Sequence, residues 1–346
     1  MAGETPARKL TPIFGTTFAD FGYKIDSETR LRQIANDEPF EFNVRQGDKR
    51  WNQMHYEALA DVVGKYIEDE LVATHGFDRV VIPVDANLTE PTSKIFLTPD
   101  AFTADRLLLL VAGVGVSVGQ WARSIVMNDS INEGSFFNYI VQAKSEGYGI
   151  VVLDPNETRD SATEKPIRGS ETAVRHTSYV WQHFIRKAKA AGIFIVAHSY
   201  GGVCTLALLD KYQDEFMQRV TAIAFTDSVH DVRSLKSRQC KGWLQKNAVN
   251  WATSEKSLNI PLSKNNSSGC LKRSAGHPLH AYTTVTAQNC VFKYFSAKSQ
   301  HLGESEDGSE ASESGSGNGS GSSKTASPRS PKRGCGGERV RECAQC

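Results

Sequence analysis

Between Arg106 and Phe225 the chain alternates short, almost wholly apolar runs with longer amphipathic ones, and this alternation narrows the fold more than any other feature. Residues 107–111 (Leu-Leu-Leu-Leu-Val) read as a strand covered on both faces. A helix is expected near 135–146, stopped by Gly147, then a strand over 149–154. A helix running up to Ala191 follows, with Val180, Phe184, Ala188 and Ala191 on one face and Gly192 as its terminating glycine. Strand 193–197, helix 201–212 and strand 220–225 complete the repeat. Strands and helices in strict succession specify a mostly parallel sheet flanked by helices. Upstream, residues 50–71 carry Tyr56, Leu59, Val63, Tyr66 and Ile67 at helical spacing, and two β-rich runs, 79–84 and 94–98, are parted by the turn-like Asp85-Ala86-Asn87.

The loop between the strand at 193–197 and the helix at 201 reads Ala197-His198-Ser199-Tyr200-Gly201. This is the small-x-Ser-x-Gly pattern of a nucleophile elbow, in which a serine sits on a tight strand-to-helix turn. Small flanking residues are needed because a larger side chain would meet the neighbouring strand or helix. An acid and a histidine should follow in that order, each on a loop beyond a strand's carboxyl end. Asp227, after the strand at 220–225, is the candidate acid, and an Asp there also suits an ordinary turn. His280, just ahead of a helix-like run at 286–297, is the candidate base, with His230 and His277 as rivals. Backbone donors for an oxyanion are expected near Gly113, in the loop Ala112-Gly113-Val114-Gly115, and at Tyr200. The same loop extends to Gly119 as a glycine pattern reminiscent of dinucleotide sites. The acidic residue that such a site needs about 20 positions on is missing, so an oxyanion loop or a plain tight turn is preferred. These features define an α/β-hydrolase fold, and no cofactor or metal is expected.

Forty Lys and Arg against 39 Asp and Glu leave a net charge of +1, which gives no global pull toward nucleic acid or an anionic membrane. There is no basic, aromatic-interleaved stripe of the kind single-strand binding uses, so any RNA association is expected to run through a protein partner. The polar first ten residues and the lack of an apolar run near 18 residues give the expectation of a soluble intracellular protein without membrane association. Sequons such as Asn87-Leu88-Thr89 then carry little meaning. The cysteine count of seven is odd, and Cys204 lies in an apolar run as a small core residue would.

The organisation expected is a flexible segment over 1–20, a single domain over 21–299, and a disordered low-complexity tail over 300–346 rich in Gly, Ser, Glu and Asp. Within the tail, residues 327–333 are a candidate phosphorylated basic element or nuclear signal, balanced by the reading of a solvated linker. Cys343-Ala344-Gln345-Cys346 is a poor prenylation box, and Cys335, Cys343 and Cys346 lack a fourth zinc ligand; reduced thiols are expected.

Several words of the sequence resemble the Argonaute-binding-protein (Arb) domain family, in its animal cotranscriptional-regulator branch. They include Glu38-Pro39-Phe40-Glu41-Phe42-Asn43, Ile82-Pro83-Val84-Asp85-Ala86, Gly119-Gln120-Trp121-Ala122-Arg123, Glu146-Gly147-Tyr148-Gly149 and Asp154-Pro155-Asn156-Glu157. Residues 196–202, 226–230, Ser274-Ala275-Gly276 and 291–295 extend the agreement, which runs from about 20 to 297. The resemblance implies an α/β-hydrolase fold, a serine nucleophile at Ser199 and a family histidine at His280. It also implies association with Argonaute and chromatin proteins, in small-RNA-directed heterochromatin formation or cotranscriptional splicing control, in nucleus and cytoplasm. A serine esterase or amidase built on Ser199, His280 and Asp227 is the alternative. The chain departs from the branch in having Ala112-Gly113 where His-Gly is usual, a short polar loop after Glu157 where a long charged insertion is usual, and an unrelated tail.

Overall fold

The computed structural model describes residues 12–263 and 267–303. A small antiparallel hairpin, β1 (Tyr23–Ile25) with β2 (Leu31–Gln33), precedes a long helix α1 (Lys49–Ala73), whose amino end is capped by the Asp48 carboxylate accepting from the Trp51 N–H. Then come β3 (Asp78–Ile82), β4 (Ser93–Leu97), β5 (Arg106–Val111), α2 (Arg123–Asn128), α3 (Ile131–Gly134), α4 (Phe137–Ser145) and β6 (Tyr148–Val152). The second half continues through α5 (Ala173–His183), β7 (Gly192–His198), α6 (Gly201–Lys211), α7 (Gln213–Arg219) and β8 (Val220–Thr226). It closes with α8 (Arg238–Asn247), β9 (Ala248–Ala252), β10 (Leu271–Ser274) and α9 (Thr283–Gly303).

Strands β3 to β10 form one sheet in the order β3-β4-β6-β5-β7-β8-β9-β10. Only the β4 pairings are antiparallel; the rest are parallel. Numbered from its first strand the order is 1-2-4-3-5-6-7-8 with strand 2 reversed, which is the α/β-hydrolase sheet. The elbow serine then follows the fifth strand, at the carboxyl edge where open α/β sheets place their ligands.

Strand alternation splits the core into two layers. Leu108, Leu110, Phe194 and Val196 face α1, α4 and α9 through Val63, Ile67, Ile140, Val291 and Phe295. Leu107, Leu109, Ile195 and Phe225 face α5 to α8 through Trp181, Leu208, Phe216 and Leu244. Strands β6 and β7 are buried along their whole length, so each large side chain there contributes about 1.5–3 kcal/mol. Cys204 is buried in the second layer, and desolvation pushes its thiol up to about 11.

Three expected boundaries move. The helix expected to reach Ala191 ends at His183, passes through one 3-10 turn (Ile185–Lys187) and is extended by Ala188. Its continuation is captured by another loop: the Lys189 and Ala191 N–H groups donate to the carbonyls of Phe102 and Asp105, and Gly192 opens β7 instead of closing a helix. The packed domain also begins before residue 21. Phe14 lies 5.6 Å from Trp51 and 5.7 Å from His55, and Phe18 lies 5.8 Å from Tyr66, because the aromatic face of α1 offers these rings a place out of water. At the other end α9 runs to Gly303, four residues past the expected boundary at Ser299, because its Val291, Phe292 and Phe295 dock it on the sheet. The low-complexity tail from 304 on, with residues 327–333 and the three terminal cysteines, lies outside the described residues.

Candidate functional site

Ser199 stands between the last residue of β7 and the first turn of α6 with φ of +51°, a left-handed conformation that costs a non-glycine residue about 1–3 kcal/mol. Its neighbours explain the small residues around it. A Cβ on Gly201 would sit 2.5 Å from the Val111 carbonyl oxygen, and one on Gly202 would sit 1.8 Å from Ser228 Oγ. The strained turn is held from three sides. The Ser199 N–H donates to the Thr226 carbonyl at 3.1 Å, and its own carbonyl accepts from Gly202 N, Val229 N and Ser228 Oγ at 3.2, 3.3 and 3.0 Å.

Asp227 follows β8 and is also left-handed, with φ of +42°. Its Oδ2 bonds His280 Nδ1 at 2.7 Å, while Oδ1 accepts from the Thr253 N–H at 3.1 Å and from Thr253 Oγ1 at 3.3 Å. Burial opposes ionisation of this carboxyl, but the hydrogen bonds from His280 and Thr253 outweigh it and hold it below the usual carboxylate range. His280 begins the short 3-10 turn (His280–Tyr282) ahead of α9; its carbonyl accepts from Thr283 Oγ1, and its side chain is 31% exposed. With Nδ1 engaged by a carboxylate, Nε2 is the nitrogen left for a reacting group, the division of labour of a general base. Among the described residues no hydrogen bond joins Ser199 Oγ to His280. Such contacts are commonly loose in an unliganded site and tighten on substrate.

Gly113 closes the other side of the serine. A Cβ there would come 2.9 Å from Ser199 Cβ and 3.4 Å from Oγ, so only glycine leaves the approach clear. Asn156 Nδ2 anchors the loop by donating to the carbonyls of Gly113 and Val116 at 2.8 and 3.0 Å. Among the described residues neither the Gly113 nor the Tyr200 backbone N–H has a hydrogen-bond partner, as groups reserved for an incoming oxyanion should be. The glycine pattern extends to Gly119, where a Cβ would come 2.8 Å from Ile67 of α1, so this glycine serves the packing of that helix.

The rival histidines are engaged elsewhere. His230 Nδ1 bonds Ser228 Oγ at 2.7 Å and its Nε2 takes the Ser268 carbonyl at 3.0 Å; burial pushes it down to about 4. His277 accepts from the Leu279 N–H through Nδ1 and packs its ring 4.3 Å from Tyr282.

Two contributors escaped the sequence reading. Thr253 follows β9, a five-residue strand too short and too mixed (Ala-Val-Asn-Trp-Ala) to register as one. His198, inside the elbow word, lies with its ring 4.5 Å from that of His280. It is 3% exposed, and desolvation pushes it down to about 3, so it is a neutral ring. Its Nδ1 donates to the Thr226 carbonyl at 3.0 Å, within reach of Thr226 Oγ1 and Thr284 Oγ1, so it ties the serine, acid and histidine segments together. Among the described residues no group of three or more His, Cys, Asp or Glu is placed to hold a metal ion.

Comparisons with known proteins give the kinship of the chain. The Arb2 domain model matches residues 14–258. The Cotranscriptional regulator ARB2A of Homo sapiens is 32% identical over 340 residues, covering 83% of this chain and 82% of its own length. The Cotranscriptional regulator ARB2A homolog of Dictyostelium discoideum is 32% identical over 314 residues, covering 80% and 79%. Among solved structures, the histone deacetylase Clr3 overlays with a TM-score of 0.46 at 13% identity, over 71% of this chain and 38% of that one. The esterase Est22 does so at 0.37 and 11%, over 80% and 96%. At those scores the fold assignment rests on strand order and the elbow, while kinship rests on the sequence matches. With the family model matched over most of the domain and relatives matched over most of their length, the chain belongs to the Arb2 domain family.

Proposed function

We propose that this protein is a cotranscriptional regulator that works in the nucleus and cytoplasm by associating with Argonaute and chromatin proteins, in small-RNA-directed heterochromatin formation or splicing control. The observation that carries the reading is the match, at about a third identity over four fifths of the chain, to relatives named cotranscriptional regulators. No helix among the described residues is long and apolar enough to cross a membrane. The test is capture of Argonaute from nuclear extract by the tagged full-length chain. Recovery by both wild type and Ser199→Ala is the expected result; failure of both to recover it removes the Argonaute part of the proposal.

One observation favours a second reading. The Asp227–His280 hydrogen bond at 2.7 Å, set beside a serine held at φ of +51°, supports a serine hydrolase of the esterase or amidase type. In that reading Ser199 attacks an acyl carbon, His280 takes its proton and returns it to the leaving group, and Asp227 orients the imidazole. The Gly113 and Tyr200 N–H groups receive the oxyanion. Fluorophosphonate labelling of the purified protein, abolished in Ser199→Ala, is the expected result. A folded wild type that takes no label shows the serine to be inert and leaves the domain a binding scaffold.

A further inference from the structure

A near-neutral total conceals a strong polarity. From Val232 to Gly303 the sequence holds eleven Lys and Arg and a single acid, Glu255, a net of +10 in 72 residues; the 231 residues before it hold 23 basic and 31 acidic residues, a net of −8. The fold gathers the basic stretch at one end. It supplies α8 on one face of the sheet, α9 on the other, and β9 and β10 at the edge between them.

The cations meet around that edge. On α8, Arg238 and Lys246 are exposed on the side opposite its buried Cys240 and Leu244, with half-buried Lys241 on the flank between. Lys298 of α9 reaches the carbonyl of Lys246 at 2.9 Å and Asn247 Oδ1 at 3.0 Å, so the carboxyl-terminal parts of the two helices touch. Lys272 and Arg273 lie on β10 itself. Arg233 and Lys236 find carboxylates, on Asp231 and Asp210; among the described residues the other Lys and Arg side chains of this region form no ion pair.

We propose that the basic collar around the β10 edge binds the phosphate backbone of nucleic acid without reading sequence. Three features select this partner. The cations stand on three elements, α8, β10 and α9, which suits a polyanion offering charge continuously along its length. The free side of β10 is already taken, since the Leu262 N–H donates to the Lys272 carbonyl and the Ser274 N–H to the Ile260 carbonyl. An acidic peptide therefore cannot be added by strand pairing. The collar also lies opposite the β3–β4 edge, where Glu68 and Glu157 share the Lys94 ammonium, so the domain presents unlike ends to a polyanion and orients it. The expectation that any RNA association runs through a protein partner gives way on this reading, because the cations lie on two helices and a strand that adjoin only in the fold.

The test is fluorescence anisotropy of the full-length protein with a labelled mixed-sequence DNA duplex and, in parallel, a single-stranded RNA. Binding at 50 mM salt that weakens about a hundredfold by 200 mM is expected for roughly four phosphate contacts. Arg238→Glu combined with Lys241→Glu and Lys272→Glu should weaken it more than tenfold, while Lys65→Glu, on α1 toward the other edge, leaves it unchanged. Unaltered circular dichroism and thermal melting confirm that the triple variant is folded, and the wild-type salt titration stands without it. No binding at 50 mM salt, binding indifferent to the charge reversals, or displacement by polyglutamate of equal charge overturns the proposal; the last result points to an acidic protein instead.

Discussion

Strands β7 and β8 are two molecules in one. Along their length every side chain of β7, and all but Thr221 of β8, is buried, most of them Ile, Val, Ala and Phe, paired in register beyond one shift between Ile193 and Phe194. One residue past the end of each, the backbone turns left-handed at Ser199 and Asp227, and the side chains are polar and partly exposed. The contrast shows where strain can be stored. Two unfavourable turns persist because the rigid strands feeding them cannot relax, and because the Thr226 carbonyl, the Trp251 carbonyl and Ser228 Oγ bind both turns in place. The same pair of strands contributes stability in its interior and holds two left-handed turns, at Ser199 and Asp227, at its ends.

Changes at the two regions should therefore act on different observables. At the ends, on the hydrolase reading, Asp227→Asn should slow fluorophosphonate labelling of Ser199 by about 10³–10⁴-fold, since the amide leaves His280 without its orienting carboxylate, with a much smaller change in melting temperature. Equal losses in both would break the division. In the interior, Phe225→Ala should cost about 3–5 kcal/mol in urea unfolding and leave the labelling rate of the remaining folded protein near that of wild type.

The next effect is one of pH. His176 and His198 are buried and neutral, each pushed down to about 3 by desolvation, and His230 to about 4. Their folded values lie below the unfolded value near 6.5, so the unfolded chain binds more protons and the stability they contribute is present above pH 6.5. It is lost as pH falls toward 4, by up to about 1.4 kcal/mol per pH unit for each histidine. Asp154 runs the other way. Burial raises it to about 8, so its contribution is fully present below the unfolded value and fades as pH rises toward 8. Asp154→Asn should remove the decline that runs from about pH 4 to 8 and so steepen the net loss of stability below pH 6.5, measured as melting temperature against pH. The smallest expected effect sharpens the comparison most: Ser199→Gly relieves the left-handed residue and should raise stability by about 1 kcal/mol while abolishing labelling. A destabilised Ser199→Gly would show that the turn carries no strain worth relieving.

Much of the site was legible in the sequence because its parts are local. The elbow is a five-residue word whose small positions follow from the crowding at Gly201 and Gly202, and Asp227 lies next to a strand of clear apolar pattern. His280 could be placed only among rivals, since nothing local separates it from His230 and His277. What separates them is which imidazole the folded chain carries to Asp227, 53 residues away. Thr253 and the closing role of His198 were not legible for the same reason. The basic collar was partly legible, because a count of charge by thirds shows the imbalance even though no single window holds a stripe.

By itself the sequence determined the alternation, the sheet class, the elbow and the kinship, because hydrophobic periodicity, glycine placement and short shared words are properties of neighbours along the chain. Tertiary structure decided the rest: that the helix expected to reach Ala191 yields to the carbonyls of Phe102 and Asp105, that His280 faces Asp227, and that cations from two helices and an edge strand share one surface. Those are meetings of residues far apart in sequence, and only chain packing, which balances burial against backbone hydrogen bonding over the whole domain, selects them.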